Sequence, residues 1–243
     1  MKINILTLFP EMFTAVQGSI LGRATEKDLL QFNFINIRDF STNKHCKADD
    51  YSYGGGQGMI LLSQPAFDAL KSIDAYHTRN IYMSPRGPVL NQSMIEDLSK
   101  EEEITILCGH YEGVDQRILD HWNMEEISIG DYILTGGELA AMVLIDSVAR
   151  LIPGVLAGED SAYEESIYSG LLEYPQYTKP GVYEGIQVPE VLLSGDHRKI
   201  HLWRYEKSLE LTQERRPDLF EQYLKEHGEL AKDELKVLEK FVK

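Results

Sequence analysis

The sequence predicts an α/β protein with a largely parallel sheet, followed by a smaller, mostly helical C-terminal domain. Three observations carry this reading. Over residues 1–157, short apolar runs alternate with helical stretches, the pattern of strand–helix–strand units. Three of the apolar runs end in glycine-bearing turns, as strands do where a parallel sheet opens toward a ligand. Beyond residue 189, apolar residues return at helical rather than strand spacing.

The elements follow in order. Residues 3–8 form the first strand. The opening MKINILTLFPEMF has one lysine, then acids and a proline, and no small-residue cleavage site, so it reads as a strand and not as a secretory leader. Further strands are expected at 31–37, 80–83, 104–108 and 126–129, with helices at 64–73 and 92–98. The stretch 138–151, ELAAMVLIDSVARL, is apolar around almost its whole circumference and must be covered on every side. Either one core or a two-fold subunit interface would cover it. Residues 158–168 are a linker, and residues 169–243 a helical domain with apolar positions at Leu219, Tyr223 and Leu224, then Leu235, Leu238 and Phe241. No uncharged apolar run approaches the ~20 residues needed to span a bilayer. With only Cys46 and Cys108 there is no disulfide framework, and a cytoplasmic location is expected.

Charge limits the choice of partner. The chain carries 24 basic and 39 acidic residues, a net −15. A nucleic-acid binder relies on neutralising phosphates, so any basic surface here must be local. Residues 195–217 hold Arg198, Lys199, Arg204, Lys207, Arg215 and Arg216 against Asp196, Glu206, Glu210 and Glu214, which is +6 − 4 = +2. Arg38, Lys44, His45 and Lys47 form a second, smaller cluster. Both clusters can also be read as ordinary solvated surface.

The chemistry-bearing residues concentrate at strand ends. The third strand runs into Ser84-Pro85-Arg86-Gly87, the fourth into Gly109-His110-Tyr111-Glu112-Gly113, and the fifth into Gly130 through Gly137. Glycines there let the backbone approach a ligand closely, and three such turns in one sheet point to a nucleotide-like pocket. Neither GxGxxG after the first strand nor GxxxxGK[ST] is present, which argues against a Rossmann cofactor site and a P-loop. Cys46, Cys108, His45 and His110 match no zinc spacing, and no metal site is expected. The string Tyr53-Gly54-Gly55-Gly56-Gln57-Gly58-Met59 costs backbone entropy on folding; its amides could cradle an anion, or it could be a flexible loop.

Taken together, LTLFPEMF, DDYSYGGGQGM, CGHYEGVDQR, EISIGDYILTGGELAAM, RLIPGV, GLLEYPQYTKP, VPEVLLSG and RRPDL closely resemble the tRNA (guanine-N1)-methyltransferases of the SPOUT superfamily, the TrmD family, over essentially the whole chain. The resemblance implies a SPOUT-type parallel sheet with a deep C-terminal trefoil knot, a topology otherwise almost absent from proteins. It implies S-adenosylmethionine held by Tyr82, Ser84, Pro85 and Gly87, by Gly109, Tyr111, Glu112 and Gly113, and by Ile129, Gly130, Asp131, Tyr132, Ile133, Leu134, Gly136 and Gly137. It implies tRNA contact at Gly54, Gly55, Gly56, Gly58 and Ser166, and at Arg198, Arg204, Arg215 and Arg216. It also implies a homodimer with the active site at the subunit boundary, which favours the interface reading of 138–151. The implied target is the guanine 3′ to the anticodon (position 37), preceded by another guanine.

That reaction needs a base to remove the N1 proton, a partner for charge on guanine O6 and a dry pocket, because the methyl sulfonium is already activated. By resemblance Arg150 stabilises O6. The family's aspartate base falls on Glu165, in Glu164-Glu165-Ser166, a longer carboxylate that Glu164 could assist. Arg86 and His110 are further departures from the family pattern. Dependence on salt, and on Mg²⁺ acting at the site or on the RNA, is expected. Two other readings share the pocket: a SPOUT enzyme acting on another RNA base or on ribose, and a catalytically impaired RNA-binding relative.

Overall fold

The computed structural model describes residues 1–156 and 169–242. The chain divides into two compact units, Met1–Glu159 and Asp160–Lys243.

The first unit is built on five parallel strands, β1 (Lys2–Thr7), β2 (Gln31–Asn36), β5 (Arg79–Met83), β6 (Glu103–Leu107) and β7 (Glu125–Ile127), in the order β2-β1-β6-β5-β7. A short antiparallel hairpin, β3 (Asp49–Tyr51) and β4 (Met59–Leu61), stands apart from this sheet. Strand alternation sends side chains to two buried faces. Ile3, Ile5, Ile81, Met83, Ile104, Ile106 and Ile127 pack on one side with Phe13, Leu21 and α5 (Glu138–Ala149). Leu6, Leu8, Tyr82 and Leu107 pack on the other with α2 (Ser63–Ser72), α4 (Gln116–His121) and Trp122. Helices α1 (Ser19–Glu26) and α3 (Gln92–Leu98) complete the layer that holds α5. Each expected strand is present: β1, β5, β6 and β7 each begin one residue earlier, on a charged side chain, while β1, β2 and β6 end one residue and β7 two residues before the expected end.

The α5 helix resolves into two faces. Ala140, Ala141, Leu144, Ile145, Val148 and Ala149 are buried in the sheet's core, while Leu139 and Val143 remain about half exposed. Core burial therefore accounts for most of its apolar character, and one stripe is left over.

A chain of side-chain hydrogen bonds crosses the sheet nearer its amino-terminal edge. Asn33 donates to Asn4 (3.0 Å), Asn4 to Thr105 (3.3 Å) and to Glu103 (2.7 Å), and Thr105 meets Thr78 (2.8 Å). Thr78 donates to Asn80, whose amide in turn donates to the carbonyls of Ala75 and Trp122, both at 2.9 Å. These polar groups are satisfied where burial would otherwise penalise them.

The second unit contains α6 (Glu190–Leu193), α7 (His197–Arg215), α8 (Pro217–Glu226), α9 (Lys232–Leu238) and a small hairpin, β8 (Val182–Tyr183) with β9 (Ile186–Gln187). Its core is Leu171, Leu209, Phe220, Tyr223, Val237 and Leu238, with a Tyr205–Tyr223 hydroxyl contact of 3.0 Å. Asp196 caps α7 by accepting from the Lys199 amide, and Pro217 occupies the first turn of α8.

Candidate active site

A cavity of about 350 Å³ opens at the carboxyl ends of β5, β6 and β7. Its walls are the turns that follow these strands and the first turns of α5. Every residue expected to hold the cofactor lines it except Gly87 and Asp131; Met83, His110, Ile127, Ser128, Thr135 and Ala140 line it as well. Ser128 and Thr135 lie inside the strings already singled out, so the strand-end rule could have included them. Asp131 is exposed.

Gly87 serves a different purpose. A Cβ there would lie 2.2 Å from the carbonyl oxygen of Glu126 and 2.6 Å from the amide of Ile127. The chain after β5 thus presses directly on the backbone of β7, held by Ser128 donating to Pro88 (3.0 Å) and Leu90 donating to Ser128 (2.8 Å). Arg86 straps the same crossing by bonding both carboxylate oxygens of Glu126, at 2.9 and 3.0 Å.

Glycines also set the depth of the cavity. At Gly109 a Cβ would meet the Tyr82 hydroxyl at 2.6 Å, and at Gly137 it would meet the Gly109 nitrogen at 2.9 Å. Gly137 donates its own amide to the Gly109 carbonyl at 2.8 Å, so α5 starts flush against the end of β6. Burial pushes the Tyr82 phenol upward in pKa and keeps it protonated at neutral pH. Burial, reinforced by the nearby Glu138 carboxylate, does the same for the Cys108 thiol, which is a packing group and not a nucleophile. Glu138 is almost wholly buried in the first turn of α5, where the helix dipole favours an acid, and it accepts from the Thr7 hydroxyl at 2.8 Å. The isolated acid heading an apolar helix was the signal for this pair. His110 leans on Phe9, with ring centres 5.0 Å apart.

The glycine-rich hairpin abuts this cavity. Glu112 donates its amide to Met59 (3.0 Å), and Leu61 donates to Gly113 (2.9 Å). A Cβ on Gly58 would strike the Glu112 side chain at 2.5 Å. Gly54, Gly55, Gly56 and Gly58 all have positive φ, between 83 and 132°, and no neighbour lies within 4 Å of the Cβ position at Gly54 or Gly55. There the backbone conformation, and not packing, demands glycine. At the hairpin's base Arg38 donates to the Tyr111 hydroxyl, which donates to Asp49, both at 3.2 Å.

Arg150 is not part of the cavity wall. It caps the far end of α5, twelve residues from the helix start, about 18 Å at 1.5 Å per residue. Glu164, Glu165, Ser166 and the 158–168 linker lie outside the described residues. In the second unit Arg198 pairs with Asp233, and Arg216 binds Asp218 at 2.6 Å, whereas Arg204 and Arg215 form no ion pair among the described residues. Among the described residues no three His, Cys, Asp or Glu side chains gather as a metal site. Nor is any described helix long and apolar enough to cross a membrane.

Comparison with known proteins places these features. Residues 1–222 match the model of the family described as tRNA (Guanine-1)-methyltransferase TrmD. A tRNA (guanine-N(1)-)-methyltransferase of Clostridium perfringens (strain 13 / Type A) is 53% identical over 239 residues, covering 98% of this chain and 99% of that one. The protein of the same name from Ruminiclostridium cellulolyticum is 57% identical over 224 residues, covering 90% and 96%. That of Clostridium botulinum (strain Kyoto / Type A2) is 50% identical over 244 residues, covering 100% and 99%.

Proposed function

The chain belongs to the tRNA (guanine-1)-methyltransferase family, TrmD, and from that premise we propose that it transfers a methyl group from S-adenosylmethionine to N1 of the guanine 3′ to the anticodon of tRNA. The observation that carries this reading is the cavity at the carboxyl ends of β5, β6 and β7. It is deepened by Gly109 and Gly137 and walled by peptide groups able to read the edge of a purine. Tyr82, Ile133 and Leu134 would hold the flat part of the cofactor, and the turns 109–113 and 129–137 its polar edges. Bound there, S-adenosylmethionine supplies an activated methyl group. The family's trefoil knot is the expected path of the turns that form this wall.

The protein's own residues then have two tasks. Glu165 takes the N1 proton, which raises electron density on the ring; the N1 lone pair forms the bond to the methyl carbon, and the sulfur leaves with the bonding electrons. Arg150 meets the negative charge that builds on O6. A glutamate in place of aspartate adds one torsion to be fixed, and a dry setting would raise its basicity.

The separation of Arg150 from the cavity by the length of α5 supports a homodimer in which each cavity receives Arg150 of the partner subunit. Leu139 and Val143 on α5, with Tyr132 and Ile133 at the cavity rim, are exposed apolar groups suited to that contact.

Labelled S-adenosylmethionine incubated with two tRNA transcripts, guanine or adenine after the anticodon, tests the reaction. Label should enter only the first, at N1; label in both would place the target base elsewhere. Transfer should weaken steeply as salt rises. Mixing inactive Arg150→Ala with inactive Gly137→Val should restore activity, since one of the two mixed sites would hold both an intact cavity and an arginine. Failure to restore it with subunits exchanged would refute a shared site.

A further inference from the structure

A second cavity, of about 270 Å³, lies wholly within the C-terminal unit, between the segment 174–181 and helices α6 and α7. Tyr174, Tyr177, Leu193 and Arg204 give it its character. The Arg204 guanidinium lies over the Tyr174 ring, 4.7 Å from its centre. Tyr177 is 47% exposed and Leu193 60%, values far from those of core residues. The neighbouring β8–β9 hairpin adds Val182, Tyr183 and Ile186, all more than half exposed.

Carboxylates take up several cations of this unit: Arg198, Lys199, Lys207, Arg216 and Lys240 contact Asp233, Asp196, Glu210, Asp218 and Glu206, while Arg215, Lys225, Lys232 and Lys236, away from the cavity, form no ion pair among the described residues. Lys179 and Arg204, both lining the cavity, form no ion pair among the described residues. In a chain of net charge −15 with abundant acids, cations left without carboxylates beside exposed aromatic rings mark a place where an anion with a flat apolar part would bind. A nucleotide has both.

We propose that this cavity is a second nucleotide site, which seats one unstacked base of the tRNA against Tyr177 while Arg204 and Lys179 contact its flanking phosphates. The assignment rests on the tRNA reading above. Stacking accepts any base, since every base has a π face, so the site would add affinity and register and not sequence choice. Arg204, already stacked on Tyr174, presents its N–H edge at little further entropic cost.

The test uses the full-length protein and the guanine-bearing transcript. Irradiation at 254 nm followed by digestion and mass spectrometry should find a nucleotide adduct on the peptide containing Tyr174 and Tyr177. Tyr177→Ala should weaken tRNA binding about tenfold, within the range reported for one base–aromatic stack, while Tyr177→Phe stays near wild type. Arg204→Ala should lower the slope of log affinity against log salt by about one, and Arg204→Lys should restore the slope but not the whole affinity. An unchanged helical circular dichroism signal and unchanged proteolytic resistance of the C-terminal unit in each variant would show that its fold survives. If Tyr177→Ala and Arg204→Ala bind tRNA as wild type does, with no adduct on that peptide, the proposal is wrong. If the wild type binds and cross-links but transfers no methyl group, the proposed reaction fails while the nucleotide site stands.

Discussion

Along one set of strands, the two ends of the parallel sheet are built on opposite plans. Nearer the amino-terminal end, Asn33, Asn4, Thr105, Thr78 and Asn80 bond to one another and to main-chain carbonyls, and Arg79 bridges Glu125 and Asp97. A few residues further along β5 and β6, the side chains give way to glycines and the space becomes a cavity. One end ties the strands together through hydrogen bonds between side chains; the other keeps main-chain groups available to something from outside. Stability and binding are thereby assigned to different ends of the same strands, and substitutions at the two ends should fail in different ways.

The largest effect should come at the carboxyl end, where the chain after β5 crosses β7. Gly87→Ala drives a methyl group into the backbone of β7, and overpacking against a main chain that cannot yield should cost about 3 kcal/mol or more. Urea denaturation would register the loss, and calorimetry would show cofactor binding lost with it. At the polar end, Asn80→Ala strands two buried carbonyls and should cost roughly 2–3 kcal/mol, yet leave S-adenosylmethionine affinity within about twofold. A large loss of affinity there would collapse the distinction between the ends. Gly109→Ala should do the reverse, weakening cofactor binding about tenfold, or ~1.4 kcal/mol, with little change in melting temperature, because the obstructing Tyr82 ring can shift.

Smaller effects refine the contrast. Burial alone would raise the Glu103 carboxyl, but hydrogen bonds from Lys2 and Asn4 outweigh it and hold the group below its ordinary value near 4.5. A lowered carboxyl contributes stability that is present above its unfolded value and lost as pH falls through the folded one. The drop in melting temperature between pH 7 and pH 3 should therefore be smaller in Glu103→Gln than in the wild type. Arg86→Ala should matter least. Its pair with Glu126 is exposed, and double-mutant cycles should give about 0.5 kcal/mol or less.

Much of this contrast was legible in the residues. Strand and helix periods located the sheet and α5, and the three strand-end turns located the cavity. Other parts were hidden for definable reasons. Three-residue strands such as Asp49–Tyr51 are too short and too polar to show alternation, so the hairpin carrying the glycine-rich loop passed unseen. The order β2-β1-β6-β5-β7 depends on pairings between distant segments, to which local patterns are blind. Gly87 resembled its neighbours in sequence, yet its role is to let two main chains cross. In sequence Arg198 and Arg216 look like free cations; the fold sets Asp233, from another helix, and Asp218 beside them.

The position of β1 bears on how the chain is assembled during synthesis. Lys2 pairs with Gln31 on one side and with Glu103 on the other. At 5–20 residues per second, the ribosome needs roughly 5–20 s to deliver the second partner after the first strand is made. Through that interval β1 and β2 can pair only with each other, leaving Ile3 and Ile5 without the α5 helix that later covers them. A nascent chain paused before β6 should accordingly recruit holdase chaperones, and one released beyond α5 should not.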